Sequence, residues 1–224
     1  MNGRAEEKLP ERHVRIASEG VVLEGDLAIP PGAEGLVVFV HGSGSSRFSS
    51  RNRYVAQYLQ RDGLATLLFD LLTSQEEEID NHTMELRFDI GLLSRRLSGV
   101  ADWLASQEGL RDLAVGYFGA STGAAAALIA ETRNPAAVRA VVSRGGRPDL
   151  AGPALKQVQA PTLLIVGGND HQVILLNEQA LEQIKTTKKM VVVPGATHLF
   201  EEPGTLEAAA KLASQWFRQY LRRE

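Results

Sequence analysis

The chain contains no cysteine. That excludes disulfides, thiolate metal ligands and a cysteine nucleophile together. It also lacks a basic excess: 24 Lys and Arg stand against 27 Asp and Glu, a formal charge of −3. Binding to a phosphate backbone draws on clustered Lys and Arg, so nucleic acid is not an expected partner. No stretch approaches the ~20 consecutive apolar residues of a membrane helix. Met1 to Pro10 are polar and charged and lack the apolar core of a secretion signal. No membrane association is expected, and the cytoplasm is the expected location. No repeat, low-complexity tract or Pro/Gly/Ser linker divides the chain, so residues 1–224 are expected to form one domain. No His/Asp/Glu group has ligand spacing on one element, so neither a metal nor a cofactor is expected.

What is present is a series of short apolar runs. Residues 35–40, 64–69, 113–118, 138–142, 162–166 and 190–193 are rich in Val, Leu, Ile or Phe and do not alternate with polar residues. Continuous runs of this length fit strands buried on both faces of a parallel sheet. Residues 54–62, 86–107, 122–132, 175–184 and 206–221 instead space their apolar side chains at about 3.6, the helical period. A further short helix is expected near 150–158. Residues 13–18 and 21–29 alternate apolar with polar around Glu19-Gly20 and predict an edge hairpin. The fold class is therefore α/β: a mostly parallel central sheet, helices on both faces, an N-terminal antiparallel hairpin and little or no cap.

In such sheets, functional residues gather where strands end. Gly119-Ala120-Ser121-Thr122-Gly123 follows one strand and precedes a helix that opens on an alanine run. This is the setting of a nucleophile elbow, in which a sharp turn exposes a serine and a helix N-terminus lies behind it. His198 lies in the loop after the last strand. There its near-neutral pKa suits a general base. Asp170 ends Val166-Gly167-Gly168-Asn169-Asp170, where a carboxylate can accept the imidazole N–H and fix its tautomer. It could alternatively cap the following helix. Asp149 is the reserve acid, and Asp70 serves only if an earlier strand supplies it. His13, His41, His82 and His171 lie before or beside the acid and fit the base role less well. The order Ser121, Asp170, His198 is the order of the α/β-hydrolases. The loop His41-Gly42-Ser43-Gly44-Ser45-Ser46 can turn backbone N–H groups toward the serine. Ser43, with Gly44 second, and Thr122 are the expected oxyanion donors. This loop lacks the lysine of a phosphate-binding loop. Residues 75–80 are expected to be a solvated acidic loop that could border the site. Arg144 and Arg147 are expected in structural salt bridges rather than on substrate.

These residues resemble the dienelactone-hydrolase-like branch of the α/β-hydrolases, small bacterial esterases sometimes fused to phosphoribosyltransferases. The likeness is carried by His41–Ser46, Gly119–Gly123, Ser143-Arg144-Gly145-Gly146-Arg147-Pro148-Asp149, Val166–Asp170 and Pro194-Gly195-Ala196-Thr197-His198. It implies a triad of Ser121, Asp170 and His198, with oxyanion donors at Ser43 and Thr122. Dienelactone hydrolases themselves carry a cysteine nucleophile, and this chain has serine. That departure points to a simple esterase acting on small, short-acyl carboxylic esters. The stretch between Ser121 and Asp170 leaves little chain for a lid, so an open site is expected. Val173, Ile174, Leu199, Phe200 and residues 73–88 are the candidate walls. Lactone hydrolysis and acyl transfer are the alternatives within this chemistry. A non-catalytic ligand-binding scaffold is the alternative outside it. The oligomeric state is left open.

Overall fold

The structure, a computed structural model, describes residues 9–222. The chain opens with the antiparallel strands β1 (Arg12–Ser18) and β2 (Val21–Ala28). Glu19 and Gly20 turn between them with φ of 50° and 77°. Both residues of such a turn must take positive φ to match the twist of the strands. In β1, Val14, Ile16 and Ser18 are buried and their neighbours exposed, as the alternation requires.

Six further strands follow: β3 (Gly35–Val40), β4 (Ala65–Phe69), β5 (Ala114–Ala120), β6 (Val138–Arg144), β7 (Thr162–Gly167) and β8 (Lys188–Val193). The sheet order is β1-β2-β4-β3-β5-β6-β7-β8. Only β1–β2 and β2–β4 pair antiparallel; the other pairs are parallel. Every residue of β3, β4 and β7 is buried, which explains their almost wholly apolar composition. At the other margin, β8 exposes Lys188 and Lys189. Charges on an open edge discourage pairing with another sheet.

The helices are α1 (Ser50–Arg61), α2 (Ser74–Thr83), α3 (Ile90–Ser106), α4 (Gly123–Arg133), α5 (His171–Gln183) and α6 (Thr205–Tyr220). α3, α4 and α5 cover one face of the sheet; α1 and α6 cover the other. The expected fold class is the observed one, and the hairpin lies at the edge as expected.

Four local expectations need correction. Residues 75–80 are not a loop but the body of α2. Thr73 caps it by accepting the Glu76 N–H (3.2 Å), and Glu76 returns its carboxylate to the Thr73 N–H (2.8 Å). This reciprocal pair satisfies two otherwise orphaned donors. Glu76 also receives the buried Arg96 of α3 (2.6 Å), and Asp80, 2% exposed, accepts the backbone N–H groups of Leu86 and Arg87. Two of the acidic residues therefore build structure rather than face water. The helix expected over 86–107 is also broken. A 3₁₀ turn (Leu86–Phe88) comes first, and α3 restarts at Ile90 under an Asp89 cap that accepts the Leu92 N–H (2.8 Å). α5 begins at His171, four residues before the expected start, and its first turn places Val173 in the core behind the polar His171 and Gln172. The short helix near 150–158 is a 3₁₀ segment (Pro148–Gln157) interrupted at Gly152.

Candidate functional site

Ser121 stands between β5 and α4 with φ of +50°. An L-residue in that region costs about 1 kcal/mol or more, so surrounding contacts must hold it there. Its carbonyl accepts the N–H of Ala124 (3.2 Å) and of Arg147 (2.9 Å). The flanking glycines are required by close approach. A Cβ at Gly119 would stand 2.5 Å from Ala124 Cα, and one at Gly123 would collide with the carbonyls of Val40 and His41. Ala124, Ala125, Ala126 and Ala127 are fully buried, so the helix lies close on the sheet directly behind the serine.

The loop after β3 lies against the same residue. A Cβ at Gly42 would be 2.9 Å from Ser121 Cβ. His41 is buried and fixes this loop. The Leu71 N–H donates to its Nε2 (3.1 Å), so the ring proton sits on Nδ1 and is donated to the Gly42 carbonyl (3.0 Å). Burial pushes the His41 pKa down, keeping the ring neutral. The Ser45 N–H also bonds the Gly42 carbonyl (3.2 Å). The peptide that bears the Ser43 N–H is thereby oriented, and that N–H donates to Thr122 Oγ1 (2.9 Å). The backbone N–H groups of Thr122 and Gly44 have no acceptor among the described residues.

Asp170 and His198 meet across the ends of β7 and β8. Asp170 Oδ2 is 2.7 Å from His198 Nδ1. Asp170 occupies the cap position of α5, yet its side chain makes no capping bond. With the carboxylate accepting at Nδ1, the lone pair of the imidazole is on Nε2. Three hydrogen bonds lace the two strand ends: Gly168 N–H to Val193 O (2.8 Å), Asn169 N–H to Ala196 O (2.9 Å) and Asn169 Nδ2 to Gly195 O (3.0 Å). Glu202 accepts the Thr197 N–H (3.0 Å) and steadies the histidine turn.

The loop after β6 joins the two halves. Gly145, at φ +51°, presses on His198: a Cβ there would be 2.8 Å from the His198 carbonyl oxygen. Two residues on, Arg147 bonds the Ser121 carbonyl. The Ser121 hydroxyl itself has no hydrogen-bond partner among the described residues.

The reserve candidates are engaged elsewhere. Asp149 forms a two-pronged pair with Arg147 (2.9 and 2.8 Å), and Asp70 accepts the Arg47 N–H (2.7 Å) and pairs with its guanidinium. His13 lies on β1 between Glu24 (2.6 Å) and Asp26 (3.3 Å). His82 bonds the Glu78 carbonyl on α2, and His171 is exposed at the start of α5. Arg144 departs from expectation: it is 5% exposed and has no carboxylate partner among the described residues. Its guanidinium reaches Asn52 Oδ1 (3.4 Å) and lies 5.6 Å above the Phe200 ring, and burial lowers its pKa to about 10. Val173 and Phe200 are core residues rather than walls, whereas Leu199 and Phe88 are exposed. Next to the His41–Ser46 loop, a cavity of about 100 Å³ lies against Glu77, Asp80 and Arg87. Residues 73–88, expected as candidate walls, supply Glu77, Asp80, Asn81 and Arg87 to its lining, and the T-x-x-E spacing at Thr73–Glu76 was a readable sign of the helix that bears most of them.

Comparison with known proteins agrees with this architecture. A family model described as the dienelactone hydrolase family matches residues 23–223. A crystal structure of dienelactone hydrolase from Anabaena variabilis is 61% identical, with a TM-score of 0.95 over 96% of this chain and 100% of that one. Two Mycobacterium tuberculosis proteins provisionally named phosphoribosyl transferases are 54% identical over 221 residues, which is 99% of this chain and 49% of theirs. The chain thus spans about half the length of the curated relatives it matches. A Xanthomonas campestris protein described as a serine hydrolase without a lid shares the fold at 19% identity, with a TM-score of 0.74 over 96% of both chains.

Proposed function

The chain belongs to the dienelactone hydrolase family of α/β-hydrolases, and from that premise we propose that it is a serine carboxylesterase acting on small, short-acyl esters. The observation that carries this reading is the Asp170–His198 hydrogen bond of 2.7 Å, in a site whose serine is held at φ +50° by contacts to the same β6 loop that touches the histidine.

His198 Nε2 takes the Ser121 hydroxyl proton as Oγ bonds to the ester carbonyl carbon. The carbonyl oxygen becomes an oxyanion held by the donors of Thr122 and Ser43. Each such donor is worth about 3–4 kcal/mol to the transition state. Collapse breaks the bond to the alkoxide, which leaves with the proton from His198. Water then gives its proton to His198 and attacks the acyl-enzyme, releasing the carboxylic acid and restoring Ser121. Asp170 holds the imidazole in the required tautomer throughout. The expected substrate is a small soluble molecule in an open site. We assign ester chemistry to this half of the longer relatives, and any phosphoribosyl transfer to their other half.

The test is hydrolysis of p-nitrophenyl acetate and butyrate by the wild type and by Ser121→Ala. We expect turnover by the wild type and a loss of about 10³-fold or more in the variant. Equal rates would overturn the reading. A second reading, hydrolysis of an unsaturated lactone, is favoured by the description of the 61% identical relative. Comparing kcat/KM for a dienelactone and for p-nitrophenyl butyrate separates the two.

A further inference from the structure

Thr122 carries a donor that the oxyanion mechanism above leaves unused. Its Oγ1 accepts the Ser43 N–H at 2.9 Å. A hydroxyl accepts on its lone pairs and keeps one proton to donate. No described residue accepts that proton, although Thr122 is only 5% exposed. Threonines inside helices commonly return this proton to a carbonyl one turn back. Thr122 is the residue just before α4, so the residues one turn behind it belong to β5 and not to a helix. The unpaired proton sits one residue from the nucleophile, beside a backbone N–H that is also unpaired.

Before substrate arrives, the Ser43 N–H is already committed to Thr122. An oxyanion and Thr122 Oγ1 would compete for a single N–H. A chain of donors resolves that competition: Ser43 N–H gives to Thr122 Oγ1, and the threonine O–H gives to the oxyanion. A hydroxyl that already accepts a hydrogen bond is a stronger donor. We propose that the Thr122 side-chain hydroxyl is a further catalytic group, a direct oxyanion donor in series with the Ser43 N–H. Thr122 then contributes twice, through its backbone N–H and its side chain, and His41 acts behind them as a positioning residue by fixing the Gly42–Ser43 peptide. The proposal rests on Ser121 being the nucleophile.

The test uses Thr122→Val, which keeps the shape and removes the hydroxyl, with Thr122→Ala as a second deletion and Thr122→Ser as the rescue. Two quantities are read: kcat/KM for p-nitrophenyl butyrate, and the inhibition constant of a trifluoromethyl ketone, whose adduct on Ser121 carries an oxyanion. Loss of one such donor is expected to lower kcat/KM by about 10²- to 10³-fold. Both deletions should weaken the ketone by the same factor with KM little changed. Thr122→Ser should return both within about 3-fold of the wild type. A purely structural threonine would not make the two losses match, nor let serine restore them. An active wild type equalled by Thr122→Val or Thr122→Ala in both readouts overturns this proposal alone. A wild type inert to ester and ketone overturns the serine-hydrolase reading and this proposal with it.

Discussion

The backbone N–H of Arg147 donates to the carbonyl of Ser121 across 2.9 Å. This one bond ties the loop after β6 to the turn that presents the serine. Two residues earlier the same loop lies against His198 at Gly145. Serine and histidine come from strands that are not neighbours, and this loop is what sets one against the other.

Gly145→Ala should therefore impair activity far more than stability. The new methyl would stand 2.8 Å from the His198 carbonyl oxygen, at a φ of +51° that L-residues rarely adopt. The histidine turn must shift to relieve the contact. A displacement of about 1 Å can cost about 100-fold in rate. We expect kcat to fall by at least 10-fold while the circular dichroism spectrum stays that of the wild type. An unchanged kcat would show that the loop does not set the position of the base.

Asp170→Asn tests the carboxylate without changing its shape. The amide can donate to Nδ1 and so stabilise the wrong tautomer. The expected loss in kcat is about 10³- to 10⁴-fold. Asp149→Asn should leave kcat within about 3-fold of the wild type, because that carboxylate is committed to Arg147. Equal losses in the two variants would remove Asp170 from its assigned place.

Glu76 gives the stability curve an acid limb. The Arg96 guanidinium beside it, with the Thr73 cap, lowers its pKa from the ordinary 4.5 to about 2. A carboxyl with a depressed folded-state pKa binds fewer protons folded than unfolded. Its stabilisation is thus complete above the ordinary value and is lost as pH falls from about 4.5 to about 2. Thermal melts should show Tm declining across that window. Glu76→Gln should flatten the decline and lower Tm at neutral pH, because the buried Arg96 loses its counter-charge. A decline of the same size in the variant would refute the assignment.

Much of this was legible in the sequence, and for identifiable reasons. Strands such as β3 and β7 are buried on both faces, and an unbroken apolar run is the direct signature of that burial. Ser121 could be picked out because the glycines two residues either side leave room for Ala124, Val40 and His41, a demand few other residues can meet. Asp170 and His198 were placed by chain order. α2 was missed because its stability comes from a cap and from ion pairs to Arg96 of α3 and to Arg87, not from an apolar stripe: Asp80 is its one buried residue. The isolated Arg144 was read as salt-bridged, since a sequence shows an arginine but not the absence of a carboxylate near it in space. The bond between Ser43 and Thr122 joins residues 79 apart in the chain, and no local pattern announces it.

The strand β8 lies at the margin of the sheet, hydrogen-bonded to β7 alone, whereas β5 is flanked by β3 on one side and β6 on the other. The serine is thus mounted on the keel of the molecule and the histidine on its rail. Breathing of a sheet begins at its edges, where fewest bonds must open together. The serine is the fixed reference of the site. The imidazole, half-exposed, stands at the sheet's open margin and is anchored there through Asp170 and the laced turn.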